Sequence, residues 1–300
     1  MKMKKNMVIF SLTAMATFLV FVSLSGCGAN REAAYIKPDT IKVVEKEKVN
    51  ELIKKADIFY EKRAEAESME TAIKNYEKVL EADPTNKVVL QKLAYACYWY
   101  AAGHLIAENA QCEYYNKGAQ YGERAMALNS AFKARVAAGE KDYKCLDALG
   151  KEDIPSGYWV FANLGRWSNL KGFTTVLKHK SKLKTMADWV TDTDENYFYG
   201  AGHRALGTFY AKAPSFAGGD LDKAKLHFEK SINISDDYIG TKVLMAEFYA
   251  VKKQDKELFI KLLTAAVNKD VNSIPGIEFE MSVDQKKAKE LLAKADEMFE

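Results

Sequence analysis

Two predicted helical hairpins near the C-terminus repeat one pattern of residues at a fixed interval. Their second helices carry small or apolar residues at matching positions, which are Ala224, Phe228 and Ser231 in the first hairpin and Leu258, Leu262 and Ala265 in the second. The interval of thirty-four residues is the length of a tetratricopeptide repeat, in which small residues let paired helices pack closely. Because one hairpin buries too little apolar surface to be stable alone, such units stack on their neighbours. The spacing therefore predicts a stack of helical hairpins.

A hairpin of the same kind is predicted in the N-terminal half, between Ile53 and Pro84. Small residues stand at the contact positions of both its helices, Ala56 on the first and Ala72 on the second. A further unit starts on schedule at Leu90, but an insertion delays its second helix. The hairpin pattern thus extends over both halves of the chain, and it is more regular in the second half.

The composition agrees with a helical fold. Only five prolines occur in the 300 residues, and apolar residues recur at spacings of three and four over most of the chain, as in amphipathic helices. The last predicted helix, from Asp284 to Phe299, carries an apolar stripe and should cap the stack. The sequence therefore predicts an all-α fold over residues 49–300, with tetratricopeptide-like (TPR-like) helical-hairpin repeats stacked into a compact solenoid and a C-terminal capping helix.

Residues 1–26 have the layout of a secretory signal. Three lysines precede an uncharged apolar stretch at residues 8–24, and small residues then lead to a cysteine in the sequence Leu24-Ser25-Gly26-Cys27. Cysteine at this point is typical of a lipoprotein, in which the signal is removed before Cys27 and the thiol carries a lipid that holds the protein on a membrane. The alternative is an uncleaved transmembrane helix, since the stretch is near the minimum spanning length. Both interpretations place the remaining chain outside the cytoplasm.

The segment that follows the signal is predicted to be a spacer. Residues 27–48 mix charged residues with Pro38 and β-branched residues and show little periodicity, so we expect a lipidated N-terminus and a linker to the helical domain. Gly28 offers no acidic retention signal, which slightly favours the outer over the inner membrane and leaves the choice open.

The charge balance argues against a nucleic-acid partner. The chain has 44 basic and 41 acidic residues, and removal of the three signal lysines leaves 41 of each. A nucleic-acid binder usually concentrates a basic excess on one face. We therefore expect no nucleic-acid partner for an exported protein of this composition.

Four segments of the second half carry a resemblance to a known family. They are GYWVFANLGRW (Gly157–Trp167), GAGHRALGTFYAKAPSFAGGDLDKAKLHFEKSI (Gly200–Ile232), VLMAEFYAVKKQDKELFIKLL (Val243–Leu263) and AKELLAKADEMF (ending at Phe299). In these segments, from about residue 145 to the end, the chain resembles the TatT component lipoproteins of tripartite ATP-independent periplasmic (TRAP) transporters. The resemblance implies an exported, lipid-anchored repeat protein that forms a homotrimer. It also implies a ligand channel in each subunit and a periplasmic solute-binding protein as the docked partner.

The residues suggest what such a channel could be made of. Helical spacing places Trp159, Asn163 and Trp167 on one face, and a second face carries Tyr199, His203 and Tyr210, with Arg204 beside His203. Aromatic rings with a polar atom suit an apolar or amphipathic ligand. The alternative is that the aromatic residues are repeat core. A buried Asn163 needs partners from backbone, water or ligand in either case.

No catalytic or metal-binding pattern is present in the sequence. GxSxG, HExxH and GxxxxGK motifs are absent, and the four histidines lack the spacing of metal ligands. We therefore expect a non-enzymatic protein without a cofactor or metal ion. Cys97 and Cys112 flank the insertion and could form a disulfide that leaves Cys145 free, but three buried thiols are equally compatible with the sequence.

Two functions follow from these observations. The first is an accessory subunit of a TRAP-type uptake system, anchored by lipid and facing the periplasm, that docks a solute-binding protein and holds or passes a ligand. The second is a TPR-type lipoprotein that acts as a scaffold for envelope protein complexes on its concave face. A side-chain-filled interior would favour the scaffold, and a ligand-sized hollow would favour the transport subunit.

Overall fold

A computed structural model describes residues 29–35 and 46–299 of the chain. Within these ranges the protein consists of helices and connecting turns, without a strand, so the all-α prediction is confirmed. The predicted signal and the predicted lipidation site at Cys27 lie outside the described residues. None of the described helices combines the length and the apolar character needed to cross a bilayer.

The helices follow one another through short connections. In chain order they are α1 (Lys46–Glu61), α2 (Ala66–Ala82), α3 (Lys87–Gly103), α4 (Glu108–Met126), α5 (Ser130–Ala137), α6 (Ile154–Leu170), α7 (Phe173–Thr193), α8 (Tyr197–Lys212), α9 (Leu221–Ile234), α10 (Ile239–Leu244), α11 (Val251–Lys253), α12 (Lys256–Asn268), α13 (Glu278–Leu292) and α14 (Ala295–Met298). A π-helical turn, Met245–Ala250, joins α10 to α11. Short 3₁₀ segments occur at Asp142–Lys144, Leu146–Ala148, Lys151–Asp153, Ser215–Ala217 and Val271–Ser273.

Consecutive helices pair as hairpins, as in α1 with α2, α3 with α4 and α8 with α9. Polar side chains cap the starts of α3 and α9. The Asp220 carboxylate accepts hydrogen bonds from the backbone N–H groups of Asp222 and Lys223 at the start of α9. In the α8–α9 hairpin a Cβ atom on Gly207 would lie 2.8 Å from the Phe228 ring. Glycine at this position therefore permits the close approach of the two helices.

The C-terminal helix ties the end of the chain to its beginning. α13 starts earlier than the predicted residue 284 and ends at Leu292, after which α14 follows as a separate turn. It packs on α12 and also reaches α3. Arg63, in the turn between α1 and α2, donates hydrogen bonds of 2.9 and 3.2 Å to the two carboxylate oxygens of Glu280. The first and last parts of the helical body are thus joined by a two-pronged ion pair.

Residues 29–35, which we call the N-terminal clasp, lie against α4 and α7. The Ala29 N–H donates to Thr175 Oγ1 at 3.0 Å, and the Arg31 guanidinium makes bonds of 2.6 and 2.8 Å to the Glu123 carboxylate. The Ala34 N–H donates to the same carboxylate at 3.0 Å. This part of the predicted spacer is therefore packed on the helical body.

Glu123 is the centre of the clasp interaction, and its side chain has no exposed surface. Lys182, on α7, is buried and reaches the Glu123 carboxylate at 3.1 Å and Asp142 at 2.6 Å. Burial alone would raise the pKa of Glu123, but Lys182 and Arg31 outweigh it and hold the pKa below its ordinary value. The carboxylate therefore stays ionised and binds two cations inside the protein.

The three cysteines in the described ranges are separate, buried thiols. Cys97, Cys112 and Cys145 form no disulfide with one another, so the buried-thiol alternative describes this structure. Burial raises the pKa of the Cys97 thiol well above its ordinary value. Because the thiolate is the reactive form, Cys97 should be inert towards oxidants in the folded protein.

Substitution Glu123→Gln should lower the free energy of unfolding by about 3 kcal/mol, because it leaves two buried cations without their counter-ion. Urea denaturation at pH 7 measures this loss. Glu113→Gln is the matched control, since Glu113 pairs with Lys117 on the exposed face of α4 and should change stability by about 0.5 kcal/mol or less. Equal effects of the two substitutions would contradict a stabilising role for the clasp.

Candidate ligand cavity

A cavity of about 280 Å³ lies between α6, α7 and α8. Its walls are mostly aromatic and aliphatic, and the π-helical turn supplies Phe248 on one side. The apolar lining residues include Phe161, Ala162, Phe173, Val176, Leu177, Leu183, Ala205, Phe209, Leu244 and Phe248. A concave site with apolar walls and a few polar groups is the usual form of a small-molecule site.

Small residues on one stripe of α6 leave the space open. Ala162, Gly165 and Asn169 stand at spacings of three and four and face the cavity. A Cβ atom on Gly165 would meet nothing nearer than Leu183 Cδ2 at 4.0 Å, so packing does not require glycine there. Glycine inside a helix costs roughly 0.5–1 kcal/mol relative to alanine. The chain thus carries a destabilising residue where a larger one would reduce the hollow.

The charged residues that line the cavity are all cationic. They are Arg166, Lys180, Arg204 and Lys212, and neither aspartate nor glutamate occurs among the lining residues. The Lys212 ammonium lies 4.5 Å from the centre of the Phe248 ring, a cation–π distance. Burial and the neighbouring Arg166 charge lower the pKa of Lys212 to about 8. The walls are therefore apolar, with a net positive potential.

Arg204 is held by a turn at the start of α8. Its guanidinium, on a residue that is 3% exposed, donates to the Tyr158 hydroxyl at 3.2 Å and to the carbonyls of Phe198 and Tyr199 at 3.2 and 3.1 Å. A weaker contact reaches Thr241 Oγ1 at 3.4 Å. These four acceptors fix the guanidinium at the boundary of the cavity.

The turn that holds Arg204 has an unusual backbone. Phe198, Tyr199 and Gly200 have φ angles of 41°, 60° and 73°, and the left-handed region costs roughly 1–2 kcal/mol for each residue with a side chain. Aromatic contacts support the turn, because Tyr199 stacks on Tyr238 at 5.1 Å between ring centres. Arg204 satisfies two carbonyls that the turn leaves outside the helix.

A second, smaller hollow of about 60 Å³ lies behind the arginines. It shares Tyr98, Tyr158, Arg166, Arg204 and Leu244 with the larger cavity, so these residues form the wall between the two. On the far side of this wall lies a buried carboxyl group, Asp284. Burial raises its pKa to about 7, against the opposing effect of the two arginines.

Of the seven predicted channel residues, Arg204 lines the larger cavity, and Arg204 and Trp159 line the smaller hollow. Trp159 packs against Tyr95 with ring centres 4.6 Å apart. Asn163 is fully buried, and its side-chain N–H group donates to the carbonyls of Ala94 and Trp159 at 2.9 and 2.8 Å. These contacts place the Trp159 and Asn163 side chains among packed helices.

Trp167 lies in a separate cluster beside the cavity. It is 5% exposed and packs with Leu164 and Leu183, and its ring meets His179 edge-on at 6.0 Å between centres. The structure thus brings Trp159, Asn163 and Trp167 to one face of α6, as predicted, and this face is packed against other helices. Their predicted contribution to ligand binding stays a prediction.

The second predicted face forms a stack on the α8–α9 hairpin. His203 and His227 have their Nδ1 atoms 3.0 Å apart, and Tyr210 stacks on His227 with ring centres 5.6 Å apart. Tyr199 belongs to the left-handed turn and therefore does not continue the helical register of His203 and Tyr210. This group lies outside both hollows.

Apart from Arg204, sequence reasoning missed the cations Arg166, Lys180 and Lys212 and the small residues that line the larger cavity. Arg166 is the residue before Trp167 in the segment GYWVFANLGRW, and Ala162 and Gly165 stand on the same helical stripe. The sequence signal that could have indicated the larger cavity was this stripe of small residues beside an arginine. The large aromatic residues led instead to the prediction of a ligand site on the packed face of α6.

The histidines should make stability depend on pH. Burial is the main cause that lowers the pKa of His203, and burial followed by His203 lowers the pKa of His227 to about 4. Burial and Lys182 lower the pKa of His179 to about 4 as well. Because histidine in the unfolded chain titrates near 6.5, the unfolded state binds more protons below that pH. The contribution of these histidines to stability is therefore fully present above about pH 6.5 and is lost as the pH is lowered towards 4.

Substitution His227→Gln should remove roughly 1 kcal/mol of the stability difference between pH 7 and pH 4.5, after allowance for its partial exposure. Urea denaturation at several pH values measures the difference. The comparison at pH 8 is the control, because all three histidines are neutral there and pH-linked effects vanish. A variant whose stability follows the parent's pH dependence throughout would exclude His227 as a contributor.

Comparison with known families gives one match. The family model described as TAtT, TRAP transporter T-component, matches residues 64–299, which include all the helices that line the cavity. The resemblance predicted from the second half is therefore confirmed, and the match extends to α2 in the first half. No curated protein matches the chain.

Proposed function

We propose, from the fact that the chain belongs to the TRAP transporter T-component family, that it holds an amphipathic ligand in the cavity between α6, α7 and α8. The family makes it a transport accessory component associated with the cell envelope, and the family is not one of enzymes. In the proposal the ligand is held for, or passed to, a periplasmic solute-binding protein that docks on the helical body.

The observation that carries the ligand proposal is the hollow itself. A volume of about 280 Å³ is near the lower end of small-molecule sites, which run from about 300 to 1,000 Å³. Its apolar walls suit an aliphatic or aromatic portion, and its cations suit a polar end. The scaffold function considered above would need no such hollow, so the cavity favours the transport function.

The remaining parts of the proposal rest on sequence and family. Lipid attachment at Cys27, a homotrimer and a periplasm-facing position on the outer or inner membrane agree with the signal layout and the family resemblance. The hairpins α1–α2, α3–α4 and α8–α9 are proposed to be TPR-like units of a compact solenoid, with α13 as its cap. In this arrangement the exposed side chain of Phe216, between the cavity-lining residues Pro214 and Ala217 in the chain, is accessible to a docked protein.

Substitution Gly165→Leu should abolish ligand binding, because the leucine side chain would enter the cavity from the middle of α6. Native mass spectrometry of the full-length protein purified in mild detergent, before and after addition of decanoate or decanol, measures bound ligand and subunit number together. The helix should tolerate the change, since leucine has a higher helix propensity than glycine.

Ala134→Leu is the matched control, because Ala134 is exposed on α5 and does not line the cavity. We expect it to bind ligand as the parent protein does. Absence of ligand binding by the parent, or equal binding by both variants, would contradict the cavity as the ligand site. Failure to capture a co-expressed TRAP solute-binding protein would contradict docking separately.

A further inference from the structure

The wall between the two hollows contains two arginines without a carboxylate partner. We infer that the cavity selects amphiphiles with one anionic head group, a carboxylate or a phosphate, and that Arg166 binds this group at the inner end of the cavity, beside the fixed positive charge of Arg204. The inference rests on the proposed function, because it assigns the ligand class of the same site.

Two other largely buried arginine side chains of the described ranges are paired with carboxylates. Arg31 lies 2.6 Å from Glu123, and Arg63 lies 2.9 Å from Glu280. Within the described ranges, neither Arg166 nor Arg204 forms such an ion pair. A buried charge without a counter-ion is strongly unfavourable. Arg204, which is buried, and Arg166, which is partly buried, therefore differ from Arg31 and Arg63 because they have no carboxylate at ion-pair distance.

The contacts of the two arginines leave their charge available. All hydrogen-bond acceptors of Arg204 are neutral carbonyl or hydroxyl oxygens. Arg166 makes one long contact of 3.4 Å to the Tyr98 hydroxyl. A guanidinium has five N–H donors in one plane, and this geometry matches the two oxygens of a carboxylate or phosphate. Arg166 has the larger number of N–H groups free for a ligand.

Neither acidic residue of the smaller hollow, Asp284 or Glu247, forms an ion pair with the two arginines. Asp284 lies across the wall, and its Oδ2 atom has no hydrogen-bond partner. With a pKa near 7, this carboxyl group is partly protonated at neutral pH. The other carboxylate of the smaller hollow, Glu247, is engaged with Lys287 at 3.3 Å. The positive charge at the wall therefore remains available for an anion that enters from the larger cavity.

The rest of the cavity agrees with an anion that carries an apolar tail. Lys180 and Lys212 add positive charge along the walls, and no acidic lining residue opposes it. Phe161, Val176 and Leu177 supply apolar surface beside the arginines. An amphiphile with its head at the wall would place its tail against these side chains. A cationic amphiphile would meet four like charges.

The inference is tested by isothermal titration calorimetry of the full-length protein. The ligands share the same alkyl chain and differ in their head groups. The ligands are decanoate, decyl phosphate, decanol and decyltrimethylammonium, at neutral pH and low salt. We expect at least one of the two anions to bind about tenfold or more tightly than decanol, as for a charge-assisted contact, and the ammonium compound not to bind. The tighter of the two anions identifies the head group.

Substitution Arg166→Gln should reduce anion affinity about tenfold and leave decanol affinity unchanged. Arg166→Lys keeps the charge but loses the planar donor pair, so it should restore part of the loss. Arg135→Gln is the control, because Arg135 is an α5 residue paired with Glu140 and Asp147. It should bind all four ligands as the parent does.

The outcomes separate the inference from the proposed function. Equal affinity for anions and decanol, or no effect of Arg166→Gln on anion binding, would overturn the inference and leave the ligand cavity intact. If the parent protein bound none of the four ligands, the ligand-holding function would be overturned as well. A selective loss of anion binding in Arg166→Gln supports the inference.

Discussion

One face of α6 is packed against other helices and another face borders the larger cavity, and the rest of the site depends on this difference. One face carries Trp159, Asn163 and Trp167, and it is filled against α3, α4 and the neighbouring aromatic residues. The other face carries Ala162 and Gly165 and leaves a hollow towards α7 and α8. Since α6 is anchored on the first side by close packing, the second side can stay open without collapse of the bundle.

The sequence determined the helical class and several local details. The repeat spacing predicted packed positions at Ala224, Phe228 and Ser231, and all three are buried in the structure. The cavity could not be located in this way. Aromatic residues on a helix face indicate burial, but burial in a core and burial against a ligand have the same pattern. The small residues and the arginine that open the cavity give a weaker pattern, which requires the neighbouring helices to be known.

Ion pairs and stacking contacts between residues far apart in the chain also could not be predicted from the sequence. The bond between Arg63 and Glu280 joins residues that are far apart in the chain, and no local pattern identifies it. The left-handed turn at Phe198 and Tyr199 lies in a run of aromatic residues whose local pattern predicts a helix. It is stabilised by stacking on Tyr238 and by Arg204, both of which are tertiary contacts. Such features form only when helices and turns that are far apart in the chain pack together.

The N-terminal clasp has a geometric consequence for the whole molecule. Ala29, at the start of the clasp, donates a hydrogen bond to Thr175 on α7. If Cys27 carries lipid, the lipid is attached only two positions before this contact in the sequence. Helical geometry places Thr175 and Lys182 nearly opposite Val176, Leu177 and Lys180, three of the α7 residues that line the cavity. The acyl chains would then be attached on the far side of α7 from the cavity, which would turn the binding side towards the aqueous periplasm.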